Sequence, residues 1–248
     1  MANINDTFFD GHYKDIWKSM IPEMLTVKEV DFMLPYFALQ PGNKILDLMC
    51  GYGRHALALA RKGMFVTAVD NLNDYTAEII ETADKEQLPL KVITGDVLNY
   101  KPDDQFDLVL CMGNSLNFFN ADDTVKILGT VAAHLKKGGH LLINTWSLAE
   151  IAIRTFKEKS ESAIGDLRFE ATSVYHFQPA RIETISTIIS PDGKPEIKTA
   201  IDYIFSINEM ELMLKQAGLS LKEVYSIPGK KKFTLGEPRA YLVVSREP

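Results

Sequence analysis

The spacing of apolar positions changes twice along the chain and divides it into three kinds of segment. Over the first forty residues the spacing is helical. Val27, Val30, Leu34 and Phe37 recur after a Thr-Val-Lys-Glu stretch at 26–29 that has the form of a capping box, and Pro41-Gly42 ends the run. From residue 44 short apolar runs suited to buried parallel strands (44–48, 65–69, 90–93, 106–111 and 140–145) alternate with amphipathic segments at 54–62, 74–84 and 123–135. Gly63 stops the first of these helices and Lys136-Lys-Gly-Gly139 closes the last. A Ser-Leu-Ala-Glu stretch at 147–150 predicts one more helix start. Strands alternating with helices predict right-handed βαβ units and a doubly wound, mostly parallel sheet.

Between 167 and 205 the period becomes two. Runs at 167–177, 181–189 and 197–205, separated by turns at 178–180 and 191–193, predict an antiparallel meander. A second Ser-x-x-Glu box at 206–209 opens a helix that ends at Gly218, and two strands follow at 220–226 and 239–245. The expected organisation is a helical cover over 1–40 and an α/β domain over 41–248 that carries a small antiparallel β insertion at about 160–206. The chain shows no internal repeat or low-complexity tract.

Composition narrows the function classes. The 248 residues are 46% hydrophobic and 24% charged, with 27 Lys+Arg against 33 Asp+Glu, a net charge of −6. Such values belong to globular chains rather than disordered ones. The acidic balance argues against broad nucleic-acid binding, which depends on phosphate neutralisation, although a local basic patch stays open. No stretch approaches the ~18 apolar residues of a membrane helix, and the N-terminus has no basic region followed by an apolar run, so no secretory signal is read. Two cysteines, Cys50 and Cys111, show neither zinc spacing nor a disulfide framework, and a cytoplasmic setting is expected. No metal site is read.

The chemistry concentrates in residues 45–56, which run strand, glycine turn, helix. Glycines there let the backbone approach a ligand, and a helix N-terminus offers free N–H groups. Gly51-x-Gly53-x-x-Ala56 also fits a loose dinucleotide fingerprint, and Asp70, nineteen residues after Gly51, ends the second strand where an acid would hold ribose hydroxyls. These residues indicate a nucleoside cofactor without naming it. Asp47 discriminates. A dinucleotide would bring a pyrophosphate to this turn, and a carboxylate ~4 Å away would repel it by about 4 kcal/mol at an effective dielectric of about 20. S-adenosylmethionine (SAM) brings an ammonium and a sulfonium instead, which a carboxylate favours. Asp96, after the third strand, can accept the adenine amino hydrogens, and Val97 can offer its N–H and pack on the ring. Three acids ending three successive strands converge on one ligand at the carboxyl edge of the sheet.

On these residues the chain resembles the class I SAM-dependent methyltransferases. Asp47-Leu-Met-Cys-Gly-Tyr-Gly53 is similar to the family's first motif, D-x-G-x-G-x-G. Residues 66–70, Gly95-Asp96-Val97 and 106–110 resemble its second-strand acid, its adenine motif and its fourth strand. Leu135-Lys-Lys-Gly-Gly-His140 resembles the L-x-P-G-G approach to the fifth strand. The resemblance covers roughly 44–146 plus the last two strands. It implies a seven-stranded sheet with the last strand antiparallel. Met49 departs from the first motif glycine and puts a side chain near the methionine part of the cofactor. Lys137 replaces the usual proline. The Asp-x-x-Cys-Gly-Tyr-Gly-Arg-His form resembles a small-molecule branch of the superfamily.

The residues expected at the cofactor are Asp47, Met49, Cys50, Gly51, Gly53, Asp70, Asn71, Asp96, Val97 and Met112, with Tyr13 and Trp17 from the aromatic segment 8–17 covering it. An aromatic face suits a sulfonium cation. Catalytic candidates are His12, Tyr13 and Asn114. Acceptor candidates are Asn114, Asn117, Tyr175 and Arg181, with Ser115, His176 and Tyr203 also considered, and His55 is considered with His12 as a base. The implied reaction is direct in-line methyl displacement onto a small-molecule acceptor. Proximity and orientation supply ~7–11 kcal/mol of such a barrier, and a base is needed only if the acceptor arrives protonated. Alternatives are a methyltransferase acting on protein or RNA, a SAM-binding protein without transfer, and an NAD dehydrogenase. The insertion is also a candidate homodimer contact, because an antiparallel edge favours pairing.

Overall fold

The computed structural model describes residues 3–191 and 193–246. Met1 and Ala2, within the N-terminal stretch read for a signal, and Asp192, within the 191–193 turn, lie outside the described residues.

A 3-10 turn, Ile4–Thr7, leads into α1 (His12–Met20) and α2 (Glu23–Tyr36). The α/β alternation follows: β1 (Lys44–Leu48), α3 (Arg54–Ala60), β2 (Phe65–Asp70), α4 (Asn73–Glu86), β3 (Leu90–Thr94), β4 (Phe106–Cys111), α5 (Ala121–His134) and β5 (Leu135–Thr145). After α6 (Ala149–Thr155) come β6 (Lys159–Ile164), β7 (Leu167–Phe177), β8 (Ala180–Ile189) and β9 (Pro195–Tyr203). The chain closes with α7 (Ile207–Gln216), β10 (Leu219–Ile227), β11 (Lys231–Lys232) and β12 (Ala240–Arg246).

The main sheet has the order β11-β10-β12-β5-β4-β1-β2-β3. Strands β1 to β5 pair in parallel, and β12 runs antiparallel to both β5 and β10. This is the expected seven-stranded sheet with its last strand antiparallel, extended by β11, a two-residue edge piece too short to show a period in sequence. Strand β6 was also not expected. Its Lys-Ser-Glu-Ser-Ala-Ile sequence lacks apolar alternation because it is an exposed edge strand beside β7.

The two faces of the sheet carry separate cores. Leu46, Leu48, Val109 and Ile143 pack beneath Leu128 and Val131 of α5 and Met210 and Leu214 of α7. Ile45, Val66, Leu108 and Leu110 pack beneath Val30 and Met33 of α2 and Ala56 and Leu59 of α3. Each large apolar side chain buried in this way contributes roughly 1.5–3 kcal/mol.

Two of the three capping boxes read from sequence are something else. Helix α2 starts at Glu23 behind Pro22, so Thr26 and Glu29 lie inside it and are buried. Their polar atoms face α3: Arg54 donates to Thr26 Oγ1 and Glu29 Oε2, and His55 and Tyr241 also bond Glu29. At α6 the N-cap is Leu148, without a side-chain cap. Ser147 turns instead to Asn114 and Asp202, while the Glu150 carboxylate accepts from the Ile207 amide. The box at 206–209 does form, with Ser206 Oγ accepting from the Glu209 amide. A short polar side chain caps a helix when it has no better partner. In the first two cases distant segments supplied one.

The second sheet, β6-β7-β8-β9, holds the N-terminal segment in place. Alternate residues of β9 face the body of the molecule. Glu196 bonds His12, Lys198 pairs with Asp10, and Asp202 reaches Asn114 and Ser147. Asn5 fixes the same segment from the other side. Its amide donates to the carbonyls of Ile201 and Phe118, and its Oδ1 accepts from the Ile201 amide at 2.8 Å.

Candidate functional site

A cavity opens at the carboxyl edge of the main sheet, about 960 Å³ with its open mouth included. The ends of β1, β2 and β3 form its floor. The turn after β1 places Asp47, Met49, Cys50 and Gly51 in its wall; β2 and its loop add Asp70 and Asn71; the segment after β3 adds Asp96 and Val97; and Met112 comes from the end of β4. Trp17 and Phe9 close it from the N-terminal side.

The three acids sit in different surroundings. Asp47 is 1% exposed, and its Oδ2 has no hydrogen-bond partner among the described residues. Burial pushes its carboxyl up to about 7, against the opposing pull of the Arg54 charge and the Ala56 backbone N–H. Asp70 is buried but well provided for: the Gly51 amide donates to Oδ2 at 2.7 Å and the Leu72 amide to Oδ1 at 3.0 Å. Burial still raises its pKa, offset by those amides and that of Asn71. Asp96 is more exposed. It accepts from the Leu98 amide at 2.9 Å and from Asn99 Nδ2 at 2.6 Å, so it also braces its own turn.

The two glycines of the β1 turn have different reasons. Both have positive φ, +57° at Gly51 and +75° at Gly53. A Cβ at Gly51 would meet nothing within 4 Å, because that side opens into the cavity. A Cβ at Gly53 would lie 2.6 Å from Ile79 of α4. Gly53 therefore leaves room for Ile79 at the turn and is not among the residues that line the cavity.

The other candidates separate in the same way. Tyr13 is not in the cavity wall; its ring packs among Phe8, Phe9 and Phe169. His12 is exposed, with Nδ1 2.7 Å from Glu196 Oε2, outside the cavity. Asn114 and Asn117 are both 1% exposed and committed to the fold. Asn114 Oδ1 accepts from Thr145 Oγ1, Trp146 N and Ser147 N. Asn117 Nδ2 donates to the carbonyls of Ser147 and Tyr203. Both amides hold the segments after β4 and β5 together, and neither residue is among those that line the cavity. Arg181 pairs with Glu183, and Tyr175 packs between Phe156 and Phe177, so the insertion does not bring these two to the cavity. Cys50 and Cys111 are free thiols, and burial holds Cys50 well above its ordinary pKa and Cys111 up at about 12, which leaves no thiolate at neutral pH.

Sequence reasoning missed several lining residues: Asn5 and Asp6 from the first turn, Tyr52, Arg54, Tyr75 and Phe118. Tyr52 lies within the glycine turn, and Arg54 opens α3 directly after it. The rest come from segments whose proximity only the topology creates. Asp6 accepts from Asn71 Nδ2 at 2.9 Å, and Tyr75 donates to the Phe9 carbonyl at 3.1 Å, so the cover is tied to the loop after β2 and to the first turn of α4. Under the cavity, Glu29 is ionised. Burial pushes it up, but the His55 hydrogen bond and the Arg54 charge bring it down to about 2. An ionised carboxylate only accepts, so His55 Nε2 carries the proton it shares with Glu29.

Residues 45–139, which build this cavity floor, match the family described as "Methyltransferase domain". Over this segment the chain is similar to methyltransferase domains. A putative methyltransferase, YqeM, from Bacillus subtilis (strain 168) is 28% identical over 217 residues, 82% of each chain. A shorter match, 33% identical over 100 residues to Hemagglutinin 1 from Eikenella corrodens, takes in 40% of this chain and 33% of that protein. Among solved structures, a SAM-dependent methyltransferase from Clostridium acetobutylicum ATCC 824 superposes with a TM-score of 0.82 at 19% identity, over 95% of this chain and 96% of that one. SAM-bound CalS10, described as an amino pentose methyltransferase from Micromonospora echinaspora, gives a TM-score of 0.70 at 17% identity, over 96% and 98%. These likenesses agree with the fold. No helix among the described residues is long and apolar enough to cross a membrane.

Proposed function

We propose that this protein is a SAM-dependent methyltransferase that transfers the methyl group of SAM to a small-molecule acceptor by in-line displacement. The observation that carries the reading is the buried Asp47 Oδ2, a carboxylate oxygen in the cavity wall without a hydrogen-bond partner among the described residues. Leaving such an atom unsatisfied costs about 1–3 kcal/mol, and an ammonium group supplies the missing donor. The residues present fit the cofactor. Asp47 would hold its ammonium, and Asp70, whose carboxylate keeps acceptor capacity beyond its amide bonds, would take the ribose hydroxyls. Asp96 and Val97 would flank the adenine, and Gly51 leaves the turn open for close approach. When bound, the sulfonium supplies an electrophilic methyl carbon. The protein's part is to align the acceptor and to exclude water, and Phe9, Trp17 and Phe118 over the cavity suit the second task.

A small acceptor is favoured because the cavity is roofed by the N-terminal segment, which the insertion holds down. The structural neighbour described as acting on an amino pentose agrees with that size class. A cytoplasmic setting is part of this reading and is supported by the two unpaired cysteines. Pairing of two copies through the insertion is also proposed, supported by Val174, Ile185 and Ile197, which stand exposed on its outer face; light scattering across a dilution series tests it.

Calorimetric titration with SAM, S-adenosylhomocysteine and NADH tests the cofactor assignment. Binding of the first two and its loss in Asp70→Ala is the expected result. A preference for NADH, or no adenosyl-ligand binding, would overturn the reading.

A further inference from the structure

The inward-facing row of β9 ends in Asp202, a residue with no marked signal in the sequence. Its Oδ1 accepts from Asn114 Nδ2 at 2.7 Å and from Ser147 Oγ at 3.1 Å. Both donors are themselves fixed, since Asn114 Oδ1 takes the Trp146 and Ser147 amides at 2.9 and 3.0 Å and the Thr145 hydroxyl at 2.9 Å. A whole buried network thus orients one carboxylate. Among the described residues no lysine, arginine or histidine pairs with it, and Oδ2 accepts no hydrogen bond from them. Glu29, the comparable carboxylate of the other face, has Arg54. The carboxylate is only partly buried, so a cationic or N–H-donating visitor can reach its unpaired oxygen.

The surroundings agree. Asp202 and Tyr13 both keep solvent-accessible surface, so they border open space rather than a sealed core. The Tyr13 ring packs on Phe169 of the same insertion, and burial, then the Asp202 charge, push its hydroxyl above the ordinary pKa. The Tyr13 ring continues through Phe9 to Trp17, and Trp17 packs on Trp146, next to Ser147. Aromatic faces beside a carboxylate suit an ammonium group. The network also adjoins the cofactor cavity. Gly113 and Ser115, on either side of Asn114, line that cavity, as do Phe9 and Trp17.

Resting on the methyltransferase reading above, we propose that Asp202 is the acceptor subsite and selects acceptors whose reacting atom is an amine nitrogen. The acceptor docks as an ammonium that donates N–H to Oδ2, and loss of one of its protons to that carboxylate frees the lone pair that takes the methyl group. A carboxylate head group would be repelled, and a neutral hydroxyl would gain only one ordinary hydrogen bond.

The test uses the full chain saturated with S-adenosylhomocysteine, read through the fluorescence of Trp17 and Trp146, the two tryptophans of the chain. Three probes share one ring and differ in head group: benzylammonium, benzyl alcohol and benzoate. Benzylammonium is expected to give a saturable response at least tenfold tighter than the other two, and at least tenfold weaker in Asp202→Asn. That variant keeps an oxygen for Asn114 and Ser147, and unchanged S-adenosylhomocysteine affinity checks its fold. If the variant does not fold, the wild-type ranking of the three probes decides alone. Equal binding of benzyl alcohol or benzoate, no saturable response, or an unchanged response in Asp202→Asn overturns the amine subsite while leaving the methyltransferase reading intact. Failure to bind S-adenosylhomocysteine sinks that reading, and this inference with it.

Discussion

The Gly51 amide donates to Asp70 Oδ2 at 2.7 Å and thereby locks the turn after β1 to the end of β2. One carboxylate therefore has two tasks, holding the turn in shape and presenting its remaining acceptor capacity to a ribose. Asp70→Ala removes both. It leaves the Gly51 and Leu72 amides without their acceptor, at a cost of about 1–3 kcal/mol. S-adenosylhomocysteine affinity should fall more than tenfold, and calorimetry together with a melting curve separates the two losses. Unchanged affinity with a lowered Tm would leave Asp70 a purely structural residue.

Gly51 and Gly53 should respond to alanine in opposite ways. At Gly51 the methyl group enters the cavity and touches no protein atom within 4 Å. The cost is backbone strain of about 1–2 kcal/mol at positive φ, and the larger effect falls on ligand affinity. At Gly53 the methyl collides with Ile79 at 2.6 Å, so the loss falls on stability, with roughly 1–3 kcal/mol for overpacking added to the strain. Paired melting and titration curves on the two variants check this. The same ranking of effects in both variants would refute it.

The contrast between these glycines marks how far sequence alone reaches. The cavity floor was legible because its parts are local: one turn after β1 and the acids that end β2 and β3, each within a few residues of a recognisable strand. The Gly53 contact was not, because Ile79 belongs to α4 and only packing brings it close. Asp202 escaped for a related reason. A polar residue in a period-two strand reads as solvent-facing, and which row of β9 faces inward depends on where the second sheet docks. Thr26 and Glu29 misled in the other direction. Their spacing satisfies a helix cap, but the partly buried Arg54 claims the same oxygens more strongly. Sequence pattern identifies what a side chain can do locally, and tertiary competition decides what it does.

Glu29 should set the acid limit of the fold. Its pKa, about 2 in the folded chain against an ordinary 4.5, is depressed. The folded state holds the carboxylate where the unfolded chain takes up a proton. Its contribution is therefore present above pH ~4.5 and is lost as pH falls towards ~2. Glu29→Ala should remove that acid-dependent part of the stability. It should also cost about 3–5 kcal/mol at neutral pH, because Arg54 is left with an uncompensated charge and the Tyr241 hydroxyl loses its acceptor. At about 2–4 °C per kcal/mol for a chain of this size, Tm should drop by roughly 6–20 °C. Thermal melts of both proteins between pH 3 and 8 read both effects, and parallel pH curves would refute the assignment.

Asp47 predicts the opposite sign. Its pKa is raised to about 7 from an ordinary 3.8, so the folded chain keeps a proton that the unfolded chain has released. Without ligand, this group makes the fold lose stability as pH rises from ~4 to ~7. A bound ammonium reverses the preference, because only the ionised carboxylate pairs with it. Cofactor binding should then release up to one proton below pH 7. Affinity should climb by up to tenfold per pH unit and level off above about 7. Calorimetry in buffers of different ionisation enthalpy counts that proton directly. In Asp47→Asn the amide fills the same space without the charge. The unliganded protein should lose the stability decline between pH 4 and 7, while affinity drops at least tenfold and its pH dependence flattens. A variant that binds as tightly as the wild type at pH 8 would show that Asp47 does not meet the ammonium, and the unpartnered Oδ2 would need another occupant.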